Sequence, residues 1–505
     1  MSLKGNIAAN YIAQAYVAAA GIVLVPLYLG YMGVEAYGLV GFFTMMNAWF
    51  TLLDAGLTPT LSRETARYRG GALDAATLRA LVRALEWVFV AVALVAMLFF
   101  VLGADTIARG WLNVRALSLE EVSRAIMLMG LIIPLRWMSG LYRGAVNGFE
   151  RQVWLAGFNV AVATARFVGI IAVFHLVGTT TTIFFTYQLG VAVFEIAGLA
   201  FMTHRLLPRA VVPGLAAGWM ALRSILGFSL TVAFTGAVWV LITQTDKLVL
   251  SRVLSLADYG YFSLAAVVAG GVMVIGAPVA QAVLPRMAKL SAEGEHEAVI
   301  VLYRRATQIV CLLALPAAAM LAAFSEDVLR VWTGDATAAR EAAPVLRLYA
   351  AGNGILTVAA LAYYLQYARG DLRLHLIGNA LMLFFYVPCL VFSAVRWGAV
   401  GAGAAWLCAI GAYFLFWVPL VHRRLEPGLH GSWILRDVLP VASVSVVAAI
   451  WAATMVSVPA TRLAAVMTII VFGLLVFALA AMASSTVRAA AVRRLESHRQ
   501  AREVV

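Results

Sequence analysis

Charge is what this sequence has least of. Lys, Arg, Asp and Glu together make up 12% of its 505 residues, against 63% hydrophobic residues and a mean hydropathy of +0.93. Soluble domains carry about twice that charge and roughly 45–50% apolar residues, so no water-soluble core accounts for the chain. Cysteine is nearly missing too. The three present, Cys311, Cys389 and Cys408, sit in apolar stretches without the spacing of a metal or redox motif and are expected as small core residues. Enzyme signatures are also lacking: there is no Gly-x-x-x-x-Gly-Lys-Ser/Thr run, no nucleophile elbow and no His-Glu-x-x-His helix. Chemistry driven by ATP is therefore not expected of this chain.

What fills the sequence instead is fourteen apolar stretches, each long enough to cross a bilayer, which takes about 20 residues. They are placed at 6–30, 36–60, 84–103, 124–146, 154–177, 182–203, 226–250, 258–283, 304–324, 344–367, 374–394, 397–421, 436–456 and 463–483, and are called spans 1 to 14 below. Strands of a membrane barrel would alternate apolar and polar residues, whereas Trp87 to Leu102 and Leu463 to Met482 are apolar all round. The expected fold class is an all-α integral membrane protein with 14 transmembrane helices.

An even number of spans puts both ends on one side, and Lys and Arg say which. With the amino terminus inside, 25 of the 37 basic residues fall on the cytoplasmic side, 8 outside and 4 within spans, the asymmetry that short cytoplasmic loops carry. The same rule, with attraction to anionic lipid heads, explains a net charge of +13 without nucleic acid as a partner. The basic tail, Arg488, Arg493, Arg494, Arg499 and Arg502, has no aromatic residues interleaved for stacking on bases and reads as a lipid-facing or solvated helix.

The chain also repeats at about 222 residues. Glu35-Ala36-Tyr37-Gly38 after span 1 is echoed by Ala257-Asp258-Tyr259-Gly260 after span 7, Leu61-Ser62-Arg63 by Leu284-Pro285-Arg286, and Gly148 by Gly370. Recurrence in matching order predicts two six-helix bundles, with the substrate site between repeats. The expected organisation is a first bundle over 1–205, a second over 206–425, a helix pair over 426–485 and a basic cytoplasmic tail over 486–505.

Those segments carry a family resemblance. Pro26-Leu27-Tyr28-Leu29-Gly30, Glu35-Ala36-Tyr37-Gly38 and Leu53-Asp54-Ala55-Gly56-Leu57 resemble the amino terminus of Wzx-type polysaccharide flippases. Gln244-Thr245-Asp246-Lys247-Leu248-Val249-Leu250-Ser251 and Asp258-Tyr259-Gly260-Tyr261-Phe262-Ser263 look like that family's junction of helices seven and eight. The resemblance implies a 14-helix member of the multidrug, oligosaccharidyl-lipid and polysaccharide exporter superfamily, an inverted V of two bundles. Such proteins turn polyprenyl-pyrophosphate-linked glycans across the bacterial inner membrane by alternating access. It further implies a lipid-linked oligosaccharide and membrane lipids as partners, with a polysaccharide polymerase and a chain-length regulator beside them, and a groove for the lipid tail at spans 13 and 14.

A site for such a head should show as charge inside spans, which costs about 2.5–3.5 kcal/mol per residue at a helix centre and so usually faces protein or a wet cavity. Span 4 carries Arg136, Ser139, Gly140, Arg143 and Asn147 on one face; Asn159 and Arg166 are seven apart in span 5, as are Gln188 and Glu195 in span 6; Gln244 and Lys247 are three apart in span 7. The candidate substrate-binding set is Arg136, Arg143, Asn159, Arg166, Gln188, Gln244 and Lys247. In it Arg136, Arg166 and Lys247 engage pyrophosphate and Asn159, Gln188 and Gln244 engage sugar hydroxyls. Arg143 is placed near the cytoplasmic rim. Asp54, Glu195 and Asp246 stand for charge balance or for coupling to H+ or Na+, the one cofactor-like requirement foreseen. The competing reading pairs Arg166 or Arg136 with Glu195 and Asp246 with Lys247 as structural ion pairs, and makes Asp54 a helix cap before Pro59. Rival functions are a cation-coupled drug exporter, a lipid II flippase, and a membrane glycan polymerase, for which the longest outside segment, 104–123, is too short.

Overall fold

A computed structural model of the protein describes residues 3–210 and 215–488. Among them every regular element is a helix, and the one departure is a single bridge between Asn113 and Ser255. Twelve helices are long and apolar enough to cross a membrane. One of these, Arg373–Leu425, breaks at Gly398 (φ 59°, ψ −141°) between expected spans 11 and 12. Expected span 7 lies in the helix Leu215–Val253, which is not one of the twelve. The tail beyond Arg488, with Arg493, Arg494, Arg499 and Arg502, lies outside the described residues.

The chain divides into two compact units, Met1–Gly260 and Tyr261–Val505. In the first, span 2 does not run unbroken over 36–60. Its helix Val34–Phe50 tightens into a 3₁₀ turn, Thr51–Asp54, and stops at Ala55 (φ 46°) and Gly56 (φ 71°); a new helix, Leu57–Arg69, then begins with Pro59 in its first turn. Pro59 has no N–H to donate, and a first turn is where a helix needs none. Leu57–Arg69 lies on a glycine stripe of span 4 (Leu119–Gly148): a Cβ on Gly144 would strike the Thr58 carbonyl oxygen, and one on Gly148 the Ser62 carbonyl oxygen. Small residues four apart let two helices in lipid approach backbone to backbone.

The helix Leu215–Val253 also packs in this first unit, against spans 2 and 3 and Leu57–Arg69. Ser229 Oγ donates to Thr60 Oγ1 at 2.8 Å. The expected boundary at 205/206 assigned this helix to the second bundle; its buried Leu222 and Ile225 join the cluster of Leu57, Leu61, Leu81 and Phe89 instead. The packing unit is set by which apolar faces meet.

The turn after this helix is stitched to the loop that follows span 3 (Ala75–Gly110). Trp111 Nε1 donates to Ser251 Oγ at 3.0 Å, Asn113 Nδ2 to the carbonyls of Arg252 and Leu254, and Leu256 N to the Asn113 carbonyl at 2.9 Å. Buried Glu35, at the start of span 2, takes the backbone N–H groups of Arg115 and Ala116, each at 2.6 Å. Beside it the repeated Tyr-Gly pairs cross: a Cβ on Gly38 would strike the Leu256 carbonyl oxygen, and one on Gly260 the Val34 carbonyl oxygen.

In the second unit, span 13 (Leu429–Met455) and span 14 (Arg462–Ala483) pack on each other and on span 9 (His296–Ala323). Buried Asp437 anchors them, accepting from Arg304 Nε and Gln308 Nε2, both at 2.6 Å. An apolar recess of about 470 Å³ lies between spans 11 and 12, lined by Phe385, Tyr413, Phe416 and Trp417. Cys389 and Cys408 open onto it and are exposed, so of the three cysteines expected in the core only Cys311 is buried.

Candidate functional site

Within the first unit a cavity of about 430 Å³ opens among spans 1, 2, 4, 5 and 6. Its charged lining is Arg136 from span 4, Arg166 from span 5 and Glu195 from span 6, with Gln188 two turns before Glu195. The seven-residue spacing that put Gln188 and Glu195 on one face does bring both to the cavity.

The side chains form one connected network. Arg136 Nη2 donates to Gln188 Oε1 at 2.7 Å, and Gln188 Nε2 donates to the Arg166 carbonyl at 3.1 Å. Glu195, only 5% exposed, receives Arg166 Nη2 on one oxygen at 2.7 Å and Arg143 Nη2 on the other at 2.6 Å. Arg143 also donates to Asn159. The Arg136 guanidinium lies 4.9 Å from the centroid of the Phe43 ring, a cation–π contact.

Arg166 sits in a π-helical stretch, Thr164–Gly169, inside span 5. One residue is accommodated there beyond the α-helical register, which frees carbonyls for other donors. Tyr187 Oη takes the Ala165 carbonyl at 2.8 Å, Gln188 the Arg166 carbonyl, and Tyr28 Oη the Phe167 carbonyl at 2.9 Å. Three side chains thus stabilise the distortion that presents Arg166. Three donors in the site stay unsatisfied: Arg136 Nε, Trp137 Nε1 and Arg166 Nε are buried and have no hydrogen-bond partner. An unpaired buried donor on a charged group is costly unless a ligand meets it.

Of the ten residues singled out in the sequence, Arg136, Arg166, Gln188 and Glu195 line this cavity. Arg143 and Asn159 are not in the lining; Arg143 joins Glu195 and donates to Asn159. Gln244, Asp246 and Lys247 are not in the lining. Lys247 Nζ donates to the Thr243 carbonyl at 2.6 Å and approaches Asp246 Oδ1 at 3.3 Å. Asp54 accepts the Thr58 N–H at 3.2 Å and the Thr58 hydroxyl, so it caps Leu57–Arg69 across the two left-handed residues.

Sequence reasoning missed the wall that span 2 contributes: Val40, Phe43, Thr44, Asn47 and Thr51. Its polar members, at steps of three and four, were a readable stripe, but they carry no charge to draw attention. The π-helical stretch had no readable signal at all, since its stabilising tyrosines come from other helices.

Residues 3–291 match the family described as polysaccharide biosynthesis protein. A Shigella flexneri protein named as an O-antigen transporter is 20% identical over 388 residues, covering 74% of this chain and 87% of its own length. The fold resembles that of the lipid II flippase MurJ in an inward closed conformation, with a TM-score of 0.67 at 12% identity over 94% of this chain and 97% of that one. It also resembles an inward-facing multidrug resistance MATE transporter, with a TM-score of 0.65 at 16% identity over 81% and 96%.

Proposed function

We propose that this chain, which belongs to the polysaccharide biosynthesis protein family, turns a polyprenyl-pyrophosphate-linked oligosaccharide from the cytoplasmic to the periplasmic leaflet of the bacterial inner membrane by alternating access. The Wzx-type resemblance and the family agree on a multi-pass membrane transporter. The observation that carries the cargo is the pair of arginines, Arg136 and Arg166, facing one membrane-embedded cavity with an unsatisfied Nε each. Guanidinium groups are forked donors matched to phosphate oxygens, and a buried cationic cavity without enough carboxylate is stabilised by an anion. In this reading both termini are cytoplasmic and the lipid tail stays in the bilayer while the head enters. Once outside, the head is passed to a polymerase and its chain-length regulator.

The fold shared with drug exporters raises a second cargo class, cationic drugs. Three arginines around one carboxylate disfavour it, because a cation would enter against like charge. The test is transport in liposomes containing only the purified protein. A fluorescent polyprenyl-pyrophosphate oligosaccharide should change leaflets and a cationic drug should not. Movement of the drug alone would refute the flippase reading.

A further inference from the structure

Arg143 does not line the cavity, yet it governs how much charge the cavity presents. Glu195 has two oxygens and two guanidiniums: Arg166 on one, Arg143 on the other, at 2.7 and 2.6 Å. Arg143 is held for this by Asn159 from span 5. Were Arg143 absent, the Glu195 carboxylate would cancel Arg166 and leave Arg136 as the single uncompensated cation. With Arg143 present, the linked group of three guanidiniums and one carboxylate carries a net charge of +2. The other ion pair that the sequence placed near this site, Asp246 with Lys247, is neutral as a pair and lies outside the lining.

That count has a chemical counterpart. A pyrophosphate joined to a lipid at one end and a sugar at the other keeps one acidic oxygen on each phosphorus, so it is a dianion at neutral pH. A single phosphate esterified to both lipid and sugar is a monoanion. Water screens such a difference in solution, but in a confined cavity one unmatched charge weighs heavily at short range. We infer that the Arg143–Glu195 pair sets the charge of the cavity, and so selects glycolipids whose head bears two negative charges over those that bear one. This rests on the flippase reading. Arg143 acts through Glu195 and is a specificity-determining residue that does not touch the cargo.

Three variants separate charge from contact. Arg143→Gln lowers the net charge to +1, Glu195→Gln raises it to +3, and the double variant Arg143→Gln/Glu195→Gln returns it to +2 with both side chains neutral. The readout is the ratio of transfer rates for pyrophosphate-linked and monophosphate-linked versions of one fluorescent sugar lipid, compared in the same liposomes. Wild-type protein should prefer the pyrophosphate. Arg143→Gln should shift the ratio toward the monophosphate by about tenfold or more, the scale expected of one unmatched charge, and the double variant should shift it back. Glu195→Gln should tighten half-saturation by the pyrophosphate lipid while slowing turnover, because an over-charged cavity holds its anion. This arm also keeps the test open if Arg143→Gln fails to accumulate. A ratio unchanged in Arg143→Gln, or not restored in the double variant, overturns the inference while leaving the flippase reading standing. Transfer of neither lipid by the wild type sinks both.

Discussion

Replacing Arg166 by Ala removes a residue that both faces the cavity and pairs with its carboxylate. The structure sets the scale of the damage to the fold. Arg166 holds Glu195 at 2.7 Å, but Arg143 holds the other oxygen at 2.6 Å, so truncation does not leave a bare buried charge. The cost should be near that of one charge-assisted hydrogen bond, about 1.5–3 kcal/mol, and below the 3–5 kcal/mol of an abandoned buried ion. Abundance in the membrane should therefore persist. The loss on the cargo side is of similar size, because one forked donor to phosphate disappears; at 1.4 kcal/mol per factor of ten, half-saturation should weaken roughly 10- to 150-fold. Arg166→Lys keeps the charge without the fork and should recover part of it. The assay is the initial rate of leaflet transfer against lipid density in liposomes, with protein amount and size-exclusion profile measured in parallel. Half-saturation unchanged in Arg166→Ala at normal abundance would refute the role of this arginine in holding phosphate.

Other perturbations test the surroundings. Gly38→Ala and Gly260→Ala each drive a methyl group into a carbonyl oxygen, so each should destabilise the protein by about 1–3 kcal/mol, read as a lower Tm in detergent; an unchanged Tm would mean that the crossing is slack. Asp54→Ala should cost about 1 kcal/mol as a lost cap, whereas Asp54→Asn keeps an acceptor for Thr58. If Asp54→Asn abolishes transport at normal abundance, the carboxylate couples an ion and is more than a cap. A lipid-soluble maleimide should modify Cys389 and Cys408 and spare Cys311, which is fully buried; mass spectrometry showing Cys311 labelled first would contradict the packing of span 9.

The helices were legible because lipid demands long apolar runs, and Trp87 to Leu102 admits no other reading. The intramembrane charges were legible for the complementary reason: Arg136, Arg166 and Glu195 are costly in their spans unless they face protein or a cavity. Pairing was less so. The competing reading pairs Glu195 with Arg166 or Arg136, and Glu195 meets Arg166 together with Arg143, the residue assigned to the rim. Spacing along one helix gives a face, but the height at which two helices bring their faces together depends on how they pack. Span 7 is a related case, with neither Gln244 nor Lys247 in the lining of this cavity. Gln244 and Lys247 share a face by spacing, yet only packing decides whether that face meets the cavity.

The crossing at Gly38 and Gly260 is reciprocal. Val34 and Leu256 are 222 residues apart, as are Gly38 and Gly260, and Gly38 meets the Leu256 carbonyl as Gly260 meets the Val34 carbonyl. Reciprocity of that kind is the signature of a two-fold axis, where residue i of one copy touches j of the other and j touches i. Because each glycine lies against a backbone carbonyl, neither position accepts a larger residue unless the crossing as a whole opens.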